Sequence, residues 1–263
     1  MPVSPDNLDI EGLLQTIPLL RGADAVKLSS SAVNNCWHVQ TCEEDWFLRQ
    51  DTALVQSLGL QRVNEVAVLQ SLAGSALAPE LLWHDLDKGL LVTSWWGGDS
   101  LSTEELCYDA NLEQLGKLLK HIHSHPADVP ALDMTHAASC YAAMVSNPTA
   151  SELAQSVDEL SRQWCSDPDR QVLCHNDPTS GNVLKGSAHH RLVDWEYAGL
   201  NEPYFDLAVV IAHHELDEVQ QEIFLGAYGL PGSALEADRL AGCVALYGRL
   251  SALWLMAVNN GAA

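Results

Sequence analysis

The period of hydrophobic and polar positions changes along this chain. The opening segment DNLDIEGLLQTIPLL sets its apolar residues on one face and predicts an amphipathic helix ending around Pro18. CWHVQTCEEDWFLRQD reads as a hairpin, with β-prone runs at 36–39 and 46–49 flanking a polar turn at 43–45. In LQRVNEVAVLQSLAG, Val63, Val66 and Leu69 or Leu72 recur at helical spacing, and the helix stops near Gly74. ELLWHDLDKGLLVTSWW predicts two more strands around the turn Asp87-Lys88-Gly89. Up to about residue 94 the pattern is a small strand-rich unit with one central helix.

GGDS at 97–100 breaks the pattern, and helical spacing dominates beyond it: 101–125, 150–165, 206–226 and 235–258. Pro126, Pro130 and Pro148 punctuate the loops between them. A boundary near 95 therefore divides the chain into 1–95 and 96–263. The most apolar stretch, 240–258, carries Arg249 and two glycines, which predicts a buried helix rather than a membrane span. The N-terminal residues lack a basic region followed by an apolar one, so no signal peptide is read.

Composition narrows the partners. The 263 residues are 47% hydrophobic, enough for one large domain or two lobes. The 35 acidic side chains outnumber 13 basic ones, a net charge of -22. Nucleic acid is excluded as a natural partner, because phosphate-binding surfaces need clustered Lys and Arg. The acidity suits a cationic small molecule, or serves solubility alone. Seven scattered cysteines with no CxxC pair fit reduced thiols in a cytoplasmic protein.

The chemistry concentrates in LCHNDPTSGNVLKGSAHHRLVDWEYAG, from 173 to 199. VLC (172–174) is a short strand that delivers His175 and Asp177 into a loop kept irregular by Pro178 and Gly181. VLK (183–185) and RLV (191–193) form a hairpin around a polar turn. Asn182 stands just before its first strand and Asp194 just after its second, so antiparallel pairing brings them together, with Asp177 on the loop feeding the same end. Two carboxylates and a carboxamide suit Mg²⁺ better than Zn²⁺, which prefers nitrogen and sulfur. A metal site beside a second carboxylate is a set of parts for phosphoryl transfer.

HNDPTSGN fits H-x-D-x-x-x-x-N, and with VDWEYAG and EPYFDLA (202–208) the chain resembles the aminoglycoside phosphotransferase and choline kinase superfamily, in its bacterial choline/ethanolamine kinase or thiamine kinase branch. The resemblance implies a protein-kinase-like two-lobed α+β fold with a small strand-rich N-lobe (1–95) and a larger, mainly helical C-lobe (96–263). It implies ATP and Mg²⁺ as cofactors. By this resemblance Asp177 is the catalytic base, His175 a scaffold residue of the catalytic loop, and Asn182 and Asp194 the metal ligands. Arg49 and Glu65 correspond to the nucleotide-lobe ion pair. Thr93 and Trp95 lie in the segment joining the lobes, whose backbone meets adenine. Ser30, Ser31 and Asn35 lie in LSSSAVNN (28–35), where kinase-like folds carry a phosphate-covering loop, here without glycine. Glu196, Tyr197, Asp206 and Trp254 are expected around the acceptor, with Asp206 bracing either the catalytic loop or the acceptor.

The implied activity is transfer of the ATP γ-phosphoryl group to the hydroxyl of a small cationic metabolite. Choline or ethanolamine comes first, then thiamine, then an aminoglycoside. A silent nucleotide-binding module is the reading from another class. The glycine-free loop favours it, and the intact Asp177, Asn182 and Asp194 oppose it. The other prominent residues read as packing. His121, His123 and His125 do not share one helical face, so His123 is expected to be a packed helix histidine. His189-His190 and His213-His214 are expected at the surface. Tyr247 and Trp254, seven apart, share a face of the last helix.

Overall fold

The computed structural model describes residues 10–186, 189–230 and 234–261. Helix α1 (Ile10–Thr16) precedes strands β1 (Asp24–Ser30), β2 (Asn34–Gln40) and β3 (Asp45–Asp51). Helices α2 (Leu54–Ser57) and α3 (Arg62–Ser71) follow, then β4 (Leu81–Asp85) and β5 (Leu90–Ser94). The five strands make one antiparallel sheet in the order β1-β2-β3-β5-β4. Strand β1 was not legible in the sequence. It lies at the sheet edge, and its apolar residues Val26 and Leu28 are exposed rather than alternating into a core.

Strand alternation gives the sheet two different faces. Trp37, Val39, Leu48, Leu90 and Val92 pack with Leu14, Ile17 and Leu20 in one cluster around α1. The intervening residues Cys36, Phe47, Arg49, Leu91 and Thr93 point to the opposite side, where they line a cleft. Helix α3 packs on this second face with an unexpected side inward. Val63 is exposed, whereas Arg62, Glu65, Val66, Val68 and Leu69 are buried. Charged partners on neighbouring elements make the burial of Arg62 and Glu65 tolerable, and this overrides the apolar spacing.

The remainder is mainly helical: α4 (Thr103–Leu106), α5 (Asp109–His123), α6 (Met134–Val145), α7 (Pro148–Trp164), α8 (Pro203–His213), α9 (Glu218–Tyr228) and α10 (Ala234–Gly261). Short strands β6 (Val172–Cys174) and β9 (Gly199–Asn201) pair, as do β7 (Val183–Leu184) and β8 (Arg191–Leu192). Two expected helices are each split. A capping box of Ser102 with Glu105 starts α4, and its C-cap Cys107 with the N-cap Tyr108 of α5 separates the two. Glu215, in a left-handed conformation, and the N-cap Asp217 separate α8 from α9. Helix α6 was not anticipated. Helix α10 is long and apolar enough, from Glu236 to Gly261, to cross a membrane by length and composition. Here one side of it packs on α6, α7 and α8, with Cys243, Leu246, Leu253 and Ala257 fully buried.

Helices α5 and α9 approach closely at Gly116, where a Cβ would sit 2.7 Å from the Phe224 carbonyl oxygen and 3.1 Å from the Tyr228 nitrogen. Both neighbours are backbone and cannot rotate away. Gly116→Ala gains up to about 1 kcal/mol of helix propensity but forces the two helices apart, at a cost of about 1–3 kcal/mol. The expected net result is a lowered urea midpoint with an unchanged slope.

Candidate active site

Strand β6 ends at Cys174, and the next residues are held by hydrogen bonds to buried groups. Asp206 of α8, fully buried, accepts the His175 and Asn176 amides at 2.9 and 2.6 Å. Its Oδ2 also meets His123 Nε2 at 3.0 Å, and His123 Nδ1 meets the Tyr228 hydroxyl at 2.9 Å. These bonds fit the first of the two roles expected of Asp206, a brace of the loop. Asp206 ties the loop to α5, α8 and α9. Asn176 takes a left-handed conformation at φ 66°, fixed by its side-chain bonds to Tyr197 O and Asn201.

His175 Nε2 donates to the Val193 carbonyl at 3.0 Å, and Nδ1 accepts the Asp177 amide at 3.3 Å. These bonds select the neutral tautomer with the proton on Nε2, and burial lowers its pKa further. The ring also packs edge-on against Trp195, 4.8 Å between centroids. His175 is thus a scaffold for the loop and the strand leading to Asp194.

The β7–β8 hairpin forms where the sequence places it. The Val193 amide donates to the Asn182 carbonyl at 3.0 Å, which closes the open end of the hairpin. Asn182 Nδ2 donates to both the backbone and the carboxylate of Asp177 at 2.9 Å. That assignment leaves the amide oxygen Oδ1 facing away from Asp177. Asp194 follows in a left-handed conformation, φ 64°, which Asp tolerates better than most residues. Burial and the neighbouring charges of Asp194 and Glu196 hold the Asp177 carboxyl well above its ordinary range. Burial and Glu196 push Asp194 up to about 7, against the opposing pull of Arg49.

A network of ion pairs lies above these carboxylates. Arg49 grips Glu65 through two nitrogens, at 2.7 and 2.5 Å, and lies 3.6 Å from Asp194. Arg62 binds Asp51 at 2.8 Å and Glu196 at 2.7 Å. The Glu196 pKa is lowered because Arg62 and then Arg49 outweigh the cost of its burial. Arg62, Asp51 and Asn34 went unnoticed in the sequence. Only an i, i+3 Arg–Glu spacing on α3 hinted at the first.

Two cavities meet at this point. The first, ≈ 360 Å³, is bordered by Arg49, Glu65, Thr93, Trp95, Asn182 and Asp194. Trp95 is stacked on His38, 4.2 Å between centroids. Cys36 also faces this cavity, but burial and Asp194 push its thiol up to about 12, so it is a neutral wall. The second, ≈ 380 Å³, is bordered by Asp177, Asp194, Glu196, Tyr197, Tyr247 and Trp254, with Tyr141 and Phe205 beside them. Asp194 borders both. The donor set at the junction, Asn182 and Asp194, is all oxygen and fits a hard divalent cation such as Mg²⁺.

Several expected residues stand elsewhere. Ser31 borders the second cavity, not the first, and its hydroxyl accepts the Val33 and Asn34 amides at 3.2 and 2.9 Å. It shapes the β1–β2 turn, whose Val33 is buried. Asn35 lies within β2 and borders neither cavity, while the Ser30 side chain lies outside the described residues. His190 and His214 are buried rather than at the surface, and His213 borders the second cavity, bonded to the Tyr247 hydroxyl at 2.8 Å.

A model of the phosphotransferase enzyme family matches residues 24–242. The chain is 28% identical over 149 residues to the Protein LicA homolog of Metamycoplasma hominis, covering 54% of this chain and 58% of that protein. It is 28% identical over 230 residues to Ethanolamine kinase 2 of Homo sapiens, covering 78% and 58%. The chain thus spans a little over half the length of these curated relatives. Choline kinase LicA from Streptococcus pneumoniae superposes with a TM-score of 0.77 at 18% identity, over 94% of this chain and 90% of that one. LicA in complex with AMP superposes with a TM-score of 0.78 at 18% identity, over 98% and 91%. The likeness shows that this chain carries the two-lobed, protein-kinase-like α+β fold.

The raised Asp194 pKa has a signed consequence for stability. In the unfolded chain this group titrates near about 3.9, and in the metal-free fold near about 7. Its favourable contribution is complete below the unfolded value and is lost as pH rises through the folded one. Asp194→Asn stays neutral and keeps it. In chelator, the melting temperature of Asp194→Asn should exceed that of the parent by a margin that is small at pH 4.5 and grows to a plateau above pH 7. A margin independent of pH would contradict the assignment.

Proposed function

The chain belongs to the phosphotransferase enzyme family, and from that premise we propose that it transfers the γ-phosphoryl group of ATP to the hydroxyl of a small cationic alcohol of the choline or ethanolamine class. The observation that carries this reading is the pair of cavities joined at Asp194, with Asp177 on the acceptor side. We assign residues 1–95 as the nucleotide lobe and 96–263 as the catalytic and acceptor lobe. The relatives described above include a choline kinase, an ethanolamine kinase and an AMP complex, which supports both the nucleotide and the acceptor class.

The first cavity takes the nucleotide, with its base beside Thr93 and Trp95 and its phosphates toward Arg49 and Asp194. Asn182 and Asp194 would hold Mg²⁺, which when bound supplies neutralising charge for the phosphates. Asp177 receives the acceptor hydroxyl or its proton. The oxygen–phosphorus bond to the acceptor forms as the bond to the leaving ADP breaks. Because Asn182 anchors one Asp177 oxygen, the carboxylate is presented in one orientation.

The charge balance favours a cation. Arg49 and Arg62 are shared among Asp51, Glu65, Asp194 and Glu196, while Asp177, on the acceptor cavity, has carboxylates and no arginine acting on it, so that cavity favours positive charge. A positive substrate beside Asp177 also lowers the pKa of that carboxyl toward the ionised form a base needs. Tyr197, Tyr247 and Trp254 line the acceptor cavity, and an ammonium group over an aromatic face gains about 0.5–2 kcal/mol.

A coupled ADP-release screen over choline, ethanolamine, thiamine and aminoglycosides tests the reading. Choline should be used with a higher kcat/KM than 3,3-dimethylbutan-1-ol, its neutral isostere. Equal efficiency would remove the cationic class, and nucleotide binding without turnover on any acceptor would favour a silent binding module. Asp177→Asn should lower kcat by about 10²–10⁴-fold with the nucleotide affinity retained. Asp194→Ala should abolish turnover and remove the Mg²⁺ dependence of nucleotide binding, read by calorimetry.

A further inference from the structure

We propose that Arg62 is a positioning residue for the acceptor half of the site, acting through Asn34 and Glu196. The proposal rests on the phosphotransfer reading above and extends it to a residue that borders neither large cavity. Arg62 is 8% exposed, yet every nitrogen of its guanidinium is engaged. Nη1 donates to Glu196 Oε2 at 2.7 Å, and Nη2 donates to Asn34 Oδ1 at 2.7 Å. Nε donates to Asp51 Oδ2 at 3.1 Å. Asn34 Nδ2 in turn donates to the same Glu196 Oε2 at 2.7 Å.

Arg62, Asn34 and Glu196 therefore close a triangle in which each corner bonds the other two. Its corners come from the first turn of α3, the start of β2 and the segment after β8. Two of them, Asn34 and Glu196, form part of the acceptor cavity wall. Both donors meet one Glu196 oxygen, Oε2, and so hold the carboxylate where Glu196 borders the cavity. Arg49 holds Glu65 at 2.7 Å beside the nucleotide cavity, where Arg62 reaches Glu65 only at 3.5 Å and Arg49 stays 3.8 Å from Glu196. The two arginines thus serve different halves: Arg49 borders the nucleotide, and Arg62 sets the acceptor wall. A lysine cannot replace Arg62 fully, since one ammonium cannot span Asn34, Asp51 and Glu196 in a planar fork.

The test compares Arg62→Met, Arg62→Lys and Asn34→Ala with the parent. Arg62→Met should raise acceptor KM and lower kcat/KM by about tenfold or more, the scale of ångström-level misplacement. Affinity for a non-hydrolysable ATP analogue with Mg²⁺, read by calorimetry, should stay within about twofold. Arg62→Lys should fall between parent and Met, and Asn34→Ala should shift acceptor KM the same way. Unchanged acceptor kinetics, or nucleotide affinity falling in parallel, overturns the proposal. If Arg62→Met does not fold, the Lys and Asn34 variants decide by the same criteria. A second readout needs no substrate: unfolding midpoints of Arg62→Met, Glu196→Gln and the double variant. The double variant should lose less than the two single losses combined, because removing both partners leaves less unpaired buried charge. Additive losses overturn the triangle. If the parent phosphorylates no acceptor, the phosphotransfer reading fails while the midpoint cycle still decides the contact.

Discussion

Burial of Arg49 and Arg62 among carboxylates they cannot fully neutralise is the constraint on which the site depends. Each arginine is at most 8% exposed. A buried guanidinium is tolerated only with partners in good geometry, and losing one partner typically costs about 3–5 kcal/mol. That demand binds β2, β3 and α3 to the segment carrying Asp194 and Glu196. The residues that must cooperate across the cleft are therefore held by the same contacts that stabilise the fold. Negative charge remains at the junction, which is where the proposed divalent ion and cationic substrate would sit.

A second device keeps the loop that follows β6 from relaxing. Residues 175–179 of the loop have no helix or strand to satisfy their backbone, and Asp206 supplies the acceptors for two consecutive amides there. His123 and Tyr228 extend that brace into α5 and α9. The buried group His123, Cys174 and Asp206 thus reads as a structural brace, not a metal centre, since both histidine nitrogens are already bonded. His175 performs the matching task from the other side by joining the loop to Val193. Asp177 sits between two anchored segments, which suits a group that must present a carboxylate in one orientation.

The β1–β2 turn departs from the arrangement expected of a phosphate-covering loop, and its contacts show why glycine is not needed. Ser31 caps the turn through its hydroxyl, Thr52 Oγ1 donates to the Ala32 carbonyl at 2.6 Å, and Val33 is buried. The turn is folded onto the second cavity, which Ser31 to Asn34 roof. Side chains, rather than bare backbone, do the packing, and residues without glycine's conformational range suffice.

How much of this was legible from sequence follows from the range of each interaction. The strand alternation of β2 to β5, the β7–β8 hairpin and the meeting of Asn182 with Asp194 all depend on neighbours a few to a dozen residues apart. Local periodicity and turn chemistry encode those directly, and the pattern H-x-D-x-x-x-x-N carried Asp177 with them. Arg62 could not be placed in this way: its bond to Glu196 spans 134 positions, and that of Asn34 to Glu196 spans 162. On α3 the apolar spacing pointed to Val63 as a buried residue, and only packing against distant carboxylates turned Arg62 inward instead. For Asp206 the sequence leaves two roles open, a brace of the loop or of the acceptor, and only the fold, which encloses it beneath the loop, favours the first. The sequence by itself determined the chemistry available and the local elements that carry it. The tertiary structure alone decided which charges face one another, because Coulomb partners and desolvation are set by distances through space, not by spacing along the chain.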